Sequence, residues 1–138
     1  MSMFGSVRVS GSALRAGRTR MDVIAENIAN VETTRTADGG PWRRREVVLR
    51  SRQVSDSPAG VQCAGVRVAA VQSDDAPLVR VYNPGHPDAD AEGYVQMPNV
   101  DLPTEMADMV LAARAYEANA AALRSGREML QTALSILA

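Results

Sequence analysis

Residues 103–138 read PTEMADMVLAARAYEANAAALRSGREMLQTALSILA, and a single apolar stripe runs the length of this stretch. Met106, Met109, Ala113, Tyr116, Ala120, Leu123, Arg127, Leu130, Leu134 and Leu137 follow one another in alternating steps of three and four. That spacing keeps every member on one face of an α-helix, in a heptad pattern suited to packing against another helix. The helix begins near Pro103-Thr104 and, at about 1.5 Å per residue, is roughly 50 Å long, more than a small domain needs. Arg127 is the one charge on the stripe. A lone polar seam residue can set register or partner, and a long arginine stem can equally carry its charge to the edge of the seam.

The other end of the chain carries a matching pattern. Val7, Leu14, Met21 and Ile28 lie seven apart, and Ser10, Gly17, Ile24 and Val31 follow each of them by three. This predicts a helix over about Val7 to Val31. Ser10 and Gly17 thin the stripe so that another backbone can approach closely. Gly17 costs about 1 kcal/mol relative to Ala inside a helix, which a packing contact should offset.

Between the helices the period changes. Asp38-Gly39-Gly40-Pro41 is turn chemistry. Residues 42–52 alternate in part and predict a strand. Val66, Val68 and Ala70 predict a second, Leu78 to Tyr82 a third, and Tyr94 to Met97 a short extended piece stopped by Pro98. Ser55 to Gly60 reads as a loop, and Asn83-Pro84-Gly85-His86-Pro87 is dense in turn residues. The expected fold class is therefore α+β: long N- and C-terminal helices pairing as a coiled-coil-like unit and flanking a small β-rich insert. Residues 1–36 and 104–138 are expected to form one discontinuous helical domain, with 37–103 as the insert. Neither helix can bury its stripe alone, so oligomerisation is the expected outcome.

Composition narrows the function. The chain has 138 residues, enough for one domain, and aromatics are few: Phe4, Trp42, Tyr82, Tyr94 and Tyr116. Every basic residue is Arg. The net charge of -1 conceals a polarity, with ten Arg against five acids in residues 1–52 and five Arg against eleven acids in 53–138. Such halves attract each other, within a chain or between copies. A nucleic-acid binder should be basic overall or across a whole face, and the near-neutral total argues against one. Cys63 is alone and allows no internal disulfide. No segment reaches the apolar length of a membrane span, and the N-terminus lacks the pattern of a cleaved secretory signal.

Sites of chemistry are thin. Asp88-Ala-Asp90-Ala-Glu92-Gly93 imitates the start of a calcium loop, but its twelfth place is Asn99 where a bidentate Glu is required; a solvated acidic loop is the simpler reading. Arg43-Arg44-Arg45 suits a solvated edge strand or a subunit contact better than a phosphate site. His86 has no second ligand for zinc, and no nucleophile elbow or phosphate-cradling loop is present. No enzyme, metal or cofactor is expected. Asn27 and Asn30, near a helix end, admit two readings: capping and turn entry, or amides that bind a neighbouring chain.

The motif Asn27-Ile-Ala-Asn30-Val-Glu-Thr33 resembles the N-terminal signature of the flagellar rod and hook axial proteins. Gly93-Tyr-Val-Gln-Met97-Pro-Asn-Val-Asp101, Glu105-Met106 and Arg114-Ala-Tyr116-Glu-Ala-Asn119 narrow the resemblance to proximal-rod members. Gly11-Ser-Ala-Leu14 and Tyr82-Asn-Pro-Gly85 fit as well. Glu26 departs from the small or amide residue often found at its place. The resemblance implies a structural subunit of the rod, the drive shaft crossing the bacterial periplasm. It implies export through the flagellar type III apparatus without signal cleavage, and contacts with other rod proteins and with copies of itself. It also implies ends that are disordered before assembly and helical after it. No nucleic acid, small-molecule substrate or membrane span is expected. The assembly interface is expected to use Leu14, Met21, Ile24, Asn27, Ile28 and Asn30 from the first helix. From the second it draws Met106, Met109, Tyr116, Asn119, Leu123, Arg127, Leu130 and Leu134. A coiled-coil adaptor holding a soluble partner is the other reading of the same helices.

Overall fold

The computed structural model describes residues 3–52 and 65–137. The loop expected at Ser55 to Gly60, and Cys63, lie outside the described residues. Helix α1 spans Met3–Ala29 and helix α2 spans Leu102–Leu137. Between them lie β1 (Arg45–Arg52), β2 (Gly65–Ser73), β3 (Val79–Tyr82) and β4 (Tyr94–Met97). β1 pairs antiparallel with β2, and β3 with β4, as two separate two-stranded ribbons. The class is α+β, with the long helices at the two ends.

Local chemistry sets the element ends. The Asn30 N–H is shared between the Glu26 and Asn27 carbonyls, and its side-chain amide donates back to the Glu26 carbonyl at 2.8 Å. Thr33 Oγ1 donates to Asn30 Oδ1 at 3.1 Å. These bonds close α1 at Ala29, two residues before the expected end. Gly39 and Gly40 both have positive φ, at 85° and 78°, which reverses the chain at low steric cost. The first strand begins at Arg45 and not at Trp42, because the Arg44 N–H is taken by Asn99 Oδ1 at 2.8 Å. Asp101 caps α2: its carbonyl accepts the Glu105 N–H at 3.0 Å and its carboxylate the Thr104 N–H at 3.1 Å. Pro103 sits in the first turn, where a missing N–H is harmless.

The helices pack antiparallel. Gly126 lies against Val7, Gly17 against the Tyr116 ring, and Asn27 against Glu105. Gly17, whose cost called for a packing contact, makes it with Tyr116: a Cβ there would sit 3.6 Å from Tyr116 Cδ2. Extrapolating the pairing places the start of α1 opposite about residue 130, so the last two turns of α2 extend past it.

The side of α2 facing α1 differs from the expected one. Met109, Tyr116, Leu123 and Leu130 are half-buried and form the middle column, as the stripe predicted. The second column is Glu105, Ala112, Asn119, Gly126 and Ala133, one residue before the expected Met106, Ala113, Ala120, Arg127 and Leu134. Glu105, Ala112 and Gly126 are buried, whereas Met106 is 56% and Leu134 65% exposed, and Arg127 is exposed too. The reason is steric. Both columns flank the middle one at helical spacing, and α1 settles on the side where small residues let the backbones come close.

The opposite side of α1 carries the β1–β2 ribbon. Ser12, only 5% exposed, donates from Oγ to the Val9 carbonyl at 2.7 Å and accepts the Val66 N–H at 3.0 Å. A Cβ on Gly65 would fall 2.8 Å from that oxygen. Gly65→Ala should therefore destabilise the chain by about 1–3 kcal/mol, read as a lower denaturant midpoint. Adding Ser12→Ala should cost less in that background than in the wild type, since it removes the clashing atom. A neutral Gly65→Ala would show that the ribbon does not dock on α1 this way.

Candidate assembly interface

Where α1 ends and α2 begins, the chain is locked by a polar clamp. Asn27 and Glu105 are each 1% exposed. Asn27 Nδ2 donates to the Arg45 carbonyl at 2.9 Å and to Glu105 Oε2 at 3.2 Å. Asn27 Oδ1 accepts the Arg45 N–H at 2.9 Å and the Trp42 Nε1–H at 3.4 Å. Arg44 Nε donates to the other oxygen, Glu105 Oε1, at 2.6 Å. The Arg44 guanidinium also meets Glu46, and lies 3.8 Å from Asp74 and 3.9 Å from Asp108. Burial alone would pull Arg44 down, but its bonds and attraction to Glu105 and Glu46 outweigh this and hold it above its ordinary value. Asn99 adds the last strut, donating to the Asp74 and Ala76 carbonyls at 3.3 and 3.4 Å. Among the described residues, no buried side-chain N or O is left without a partner, which is the condition under which a buried charged network holds.

The two asparagines thus separate. Asn30 caps its own helix. Asn27 spends both ends of its amide inside its own chain, where the sequence had left a neighbouring chain open. Arg43-Arg44-Arg45 also divides: Arg43 is exposed, Arg44 turns inward, and Arg45 stacks over Trp42 at 4.8 Å while pairing with Glu26 at 3.3 Å. A solvated edge strand or a subunit contact was the expectation; Arg43 and Arg45 are exposed, and the buried carboxylate of Glu105 draws Arg44 inward. Sequence reasoning missed Glu105 and Arg44 as a pair. Glu105 at the three- and four-residue spacing of the half-buried Met109 and the buried Ala112 was the available signal.

The acidic loop keeps Asp90 and Glu92 exposed, as expected of a solvated loop, while Asp88 is half-buried against neighbouring residues of the chain. Asp88 accepts Thr34 Oγ1 at 2.8 Å and pairs with Arg35 at 2.5 Å. Asp90 is held below its ordinary value first by the Tyr94 N–H, then by the Glu92 N–H and by Arg80. Among the described residues no group of three or more His, Cys, Asp or Glu is placed to hold a metal ion, and no helix is long and apolar enough to cross a membrane.

Outside the clamp, several large apolar side chains are exposed among charged ones. On α2, Met106, Val110, Leu111, Met129, Leu134 and Ile136 are all more than half exposed. They lie on several sides of the helix, and a helix apolar on many sides is one that becomes buried. The other interface candidates, Leu14, Met21, Ile28, Asn30, Tyr116, Asn119, Leu123 and Leu130, are half-buried, and Ile24 is buried. Among the described residues, these side chains leave apolar surface on α2 uncovered within the chain.

Comparison with known proteins identifies the family. The family described as "Flagella basal body rod protein" matches residues 7–35, and "Flagellar basal body rod FlgEFG protein C-terminal" matches residues 91–136. Over 99% of its length the chain is 43% identical to the flagellar basal-body rod protein FlgC of Borreliella burgdorferi and 44% identical to that of Bacillus subtilis, with 99% of each relative covered. It is 40% identical to FlgC of Salmonella typhimurium, over 99% of this chain and 98% of that one. The chain belongs to the FlgC family of flagellar basal-body rod proteins.

Proposed function

We propose that this chain is a structural subunit of the bacterial flagellar rod, with no enzymatic activity, whose terminal helices line the inner wall of the tube and carry the load of motor torque. The observation that supports this most directly is the open side of α2. Met106 and Leu134 remain exposed beside a middle column that α1 already half covers. Residues 1–36 and 104–138 act as the assembly domain, and 37–103 faces outward toward lateral neighbours. The partners are other rod proteins and copies of itself. The finished rod spans the periplasm, and the subunit reaches it through the flagellar type III export apparatus without signal cleavage.

Hydrogen exchange tests the reading. In the isolated chain, the amides of residues 131–137 should exchange quickly, because α2 there extends beyond α1 and buries little. In purified rods the same amides should become strongly protected. Equal protection in both states would mean a self-contained helical hairpin, and the rod-wall assignment of α2 would fail.

A further inference from the structure

The β3–β4 ribbon stands apart from the rest of the fold. No Cα of β3 or β4 lies within 8 Å of either helix or of the β1–β2 ribbon. A two-stranded ribbon is marginal by itself, and this one is stiffened from within. The Tyr82 and Tyr94 rings meet edge to face at 5.3 Å, the Arg80 guanidinium lies 4.7 Å over Tyr94, and Arg80 pairs with Asp90 at 3.2 Å. The Asn83 N–H donates to the Gly93 carbonyl at 2.9 Å and the Asp90 N–H to the Tyr94 carbonyl at 2.8 Å, which ties the connecting loop to the strands. Ribbon and loop therefore form one stiff body.

That body is held at two places. At its base Val95 is 2% exposed, and Asn99, two residues past β4, joins Arg44 to Asp74 and Ala76. At its tip the 83–93 loop faces the 33–41 turn across a groove of about 420 Å³. Two side chains of the turn reach across, and both end on Asp88: Thr34 Oγ1 donates at 2.8 Å and the Arg35 guanidinium pairs at 2.5 Å. Among the described residues, no other hydrogen bond or ion pair links residues 78–97 to the rest of the chain. The Arg35 side chain is 75% exposed, so the tie is weak and open to water and salt. The ribbon is thus a strap, anchored at Asn99 and latched at Asp88.

A repeating assembly needs every copy to present its outer surface in the same place, and ordering a loose element on association weakens binding. We propose that the Asp88 latch fixes the β3–β4 strap against the 33–41 turn before assembly, and that the latched position is the one taken up in the rod, a role that rests on the rod-subunit reading above. Asp88→Ala in the full chain removes both bonds. Nitroxide labels at Glu92→Cys and Glu117→Cys, both exposed positions, in a Cys63→Ser background, report the distance from strap to α2 by electron spin resonance. With Asp88 in place the distance distribution should be narrow. Asp88→Ala should widen it about twofold, as a released hinged element does, while the helices melt as in wild type. Rods per cell should fall about fivefold as the strap loses its preorganisation. Arg35→Asp combined with Asp88→Arg rebuilds the ion pair with its signs exchanged, and should narrow the distribution and recover rods. Should Asp88→Ala melt lower than wild type, Arg35→Ala, a change at an exposed side chain, carries the same test. An unchanged distribution overturns the latch, as does a widened one that the exchanged pair does not narrow. A widened distribution with normal rod numbers overturns the role in assembly while leaving the rod reading intact, provided Leu134→Asp abolishes rods in the same strain. If Leu134→Asp also assembles normally, the rod reading falls and takes the assembly role with it, and the label distances alone decide the latch.

Discussion

Asn27→Asp should destabilise the chain at pH 7 more than Asn27→Ala does, although Asp is nearly the shape of Asn. The reason lies in what Nδ2 touches. It donates to the Arg45 carbonyl at 2.9 Å and to Glu105 Oε2 at 3.2 Å, both beside a side chain that is 1% exposed. Removing the amide as Ala leaves these acceptors, the Arg45 N–H and Trp42 Nε1 without their partner, a loss of about 3 kcal/mol. Placing a carboxylate there also sets two buried negative charges against each other, and breaking a buried charge network costs about 3–5 kcal/mol. Arg44 offsets only part of it, because it is already shared with Glu105 and Glu46. Thermal melts of both variants at pH 7 are the measurement. An Asn27→Asp protein as stable as wild type at pH 7 would show that Asn27 does not face Glu105.

Much of this architecture was legible in the residues, and the limits of legibility have physical causes. The column Met109, Tyr116, Leu123 and Leu130 was readable because a heptad is a local pattern, and the strands were readable from alternation. The turn at Gly39-Gly40 announced itself by residue type. The side of α2 that meets α1 was not readable from apolar character. Hydrophobicity weights Met106 and Leu134, whereas helix approach favours Ala112 and Gly126, and the two orderings point to opposite flanks of one column. The hint was on the other helix, where Ser10 and Gly17 already suggested close backbones. The clamp was invisible for a different reason. Asn27 and Glu105 are 78 residues apart, and no period or motif links them; only the antiparallel pairing of the helices brings them together. Asn30, whose partners are three and four residues away, was readable as a cap.

Leu134→Asp and Ala112→Asp should fail in opposite ways, which separates the fold of the subunit from its assembly. Leu134 is 65% exposed and lies beyond the reach of α1, so a charge there costs the isolated chain no more than about 0.5 kcal/mol. Rods and motility should nevertheless be lost. Burying Leu in a subunit contact contributes about 1.5–3 kcal/mol, and each 1.4 kcal/mol is about tenfold in affinity. A carboxylate forced into the same contact adds its own desolvation cost, so association should weaken by at least about two powers of ten. Ala112 is 3% exposed in the seam between the helices. An Asp there buries an unpaired charge where small side chains let the backbones meet, and the isolated chain should lose its cooperative melt before assembly is even tested. Circular dichroism melts of the two purified variants, with counts of basal bodies per cell, decide the matter. If Leu134→Asp destabilises the isolated chain as much as Ala112→Asp does, the end of α2 is held within the subunit. Its apolar face would then not be the one a neighbour covers.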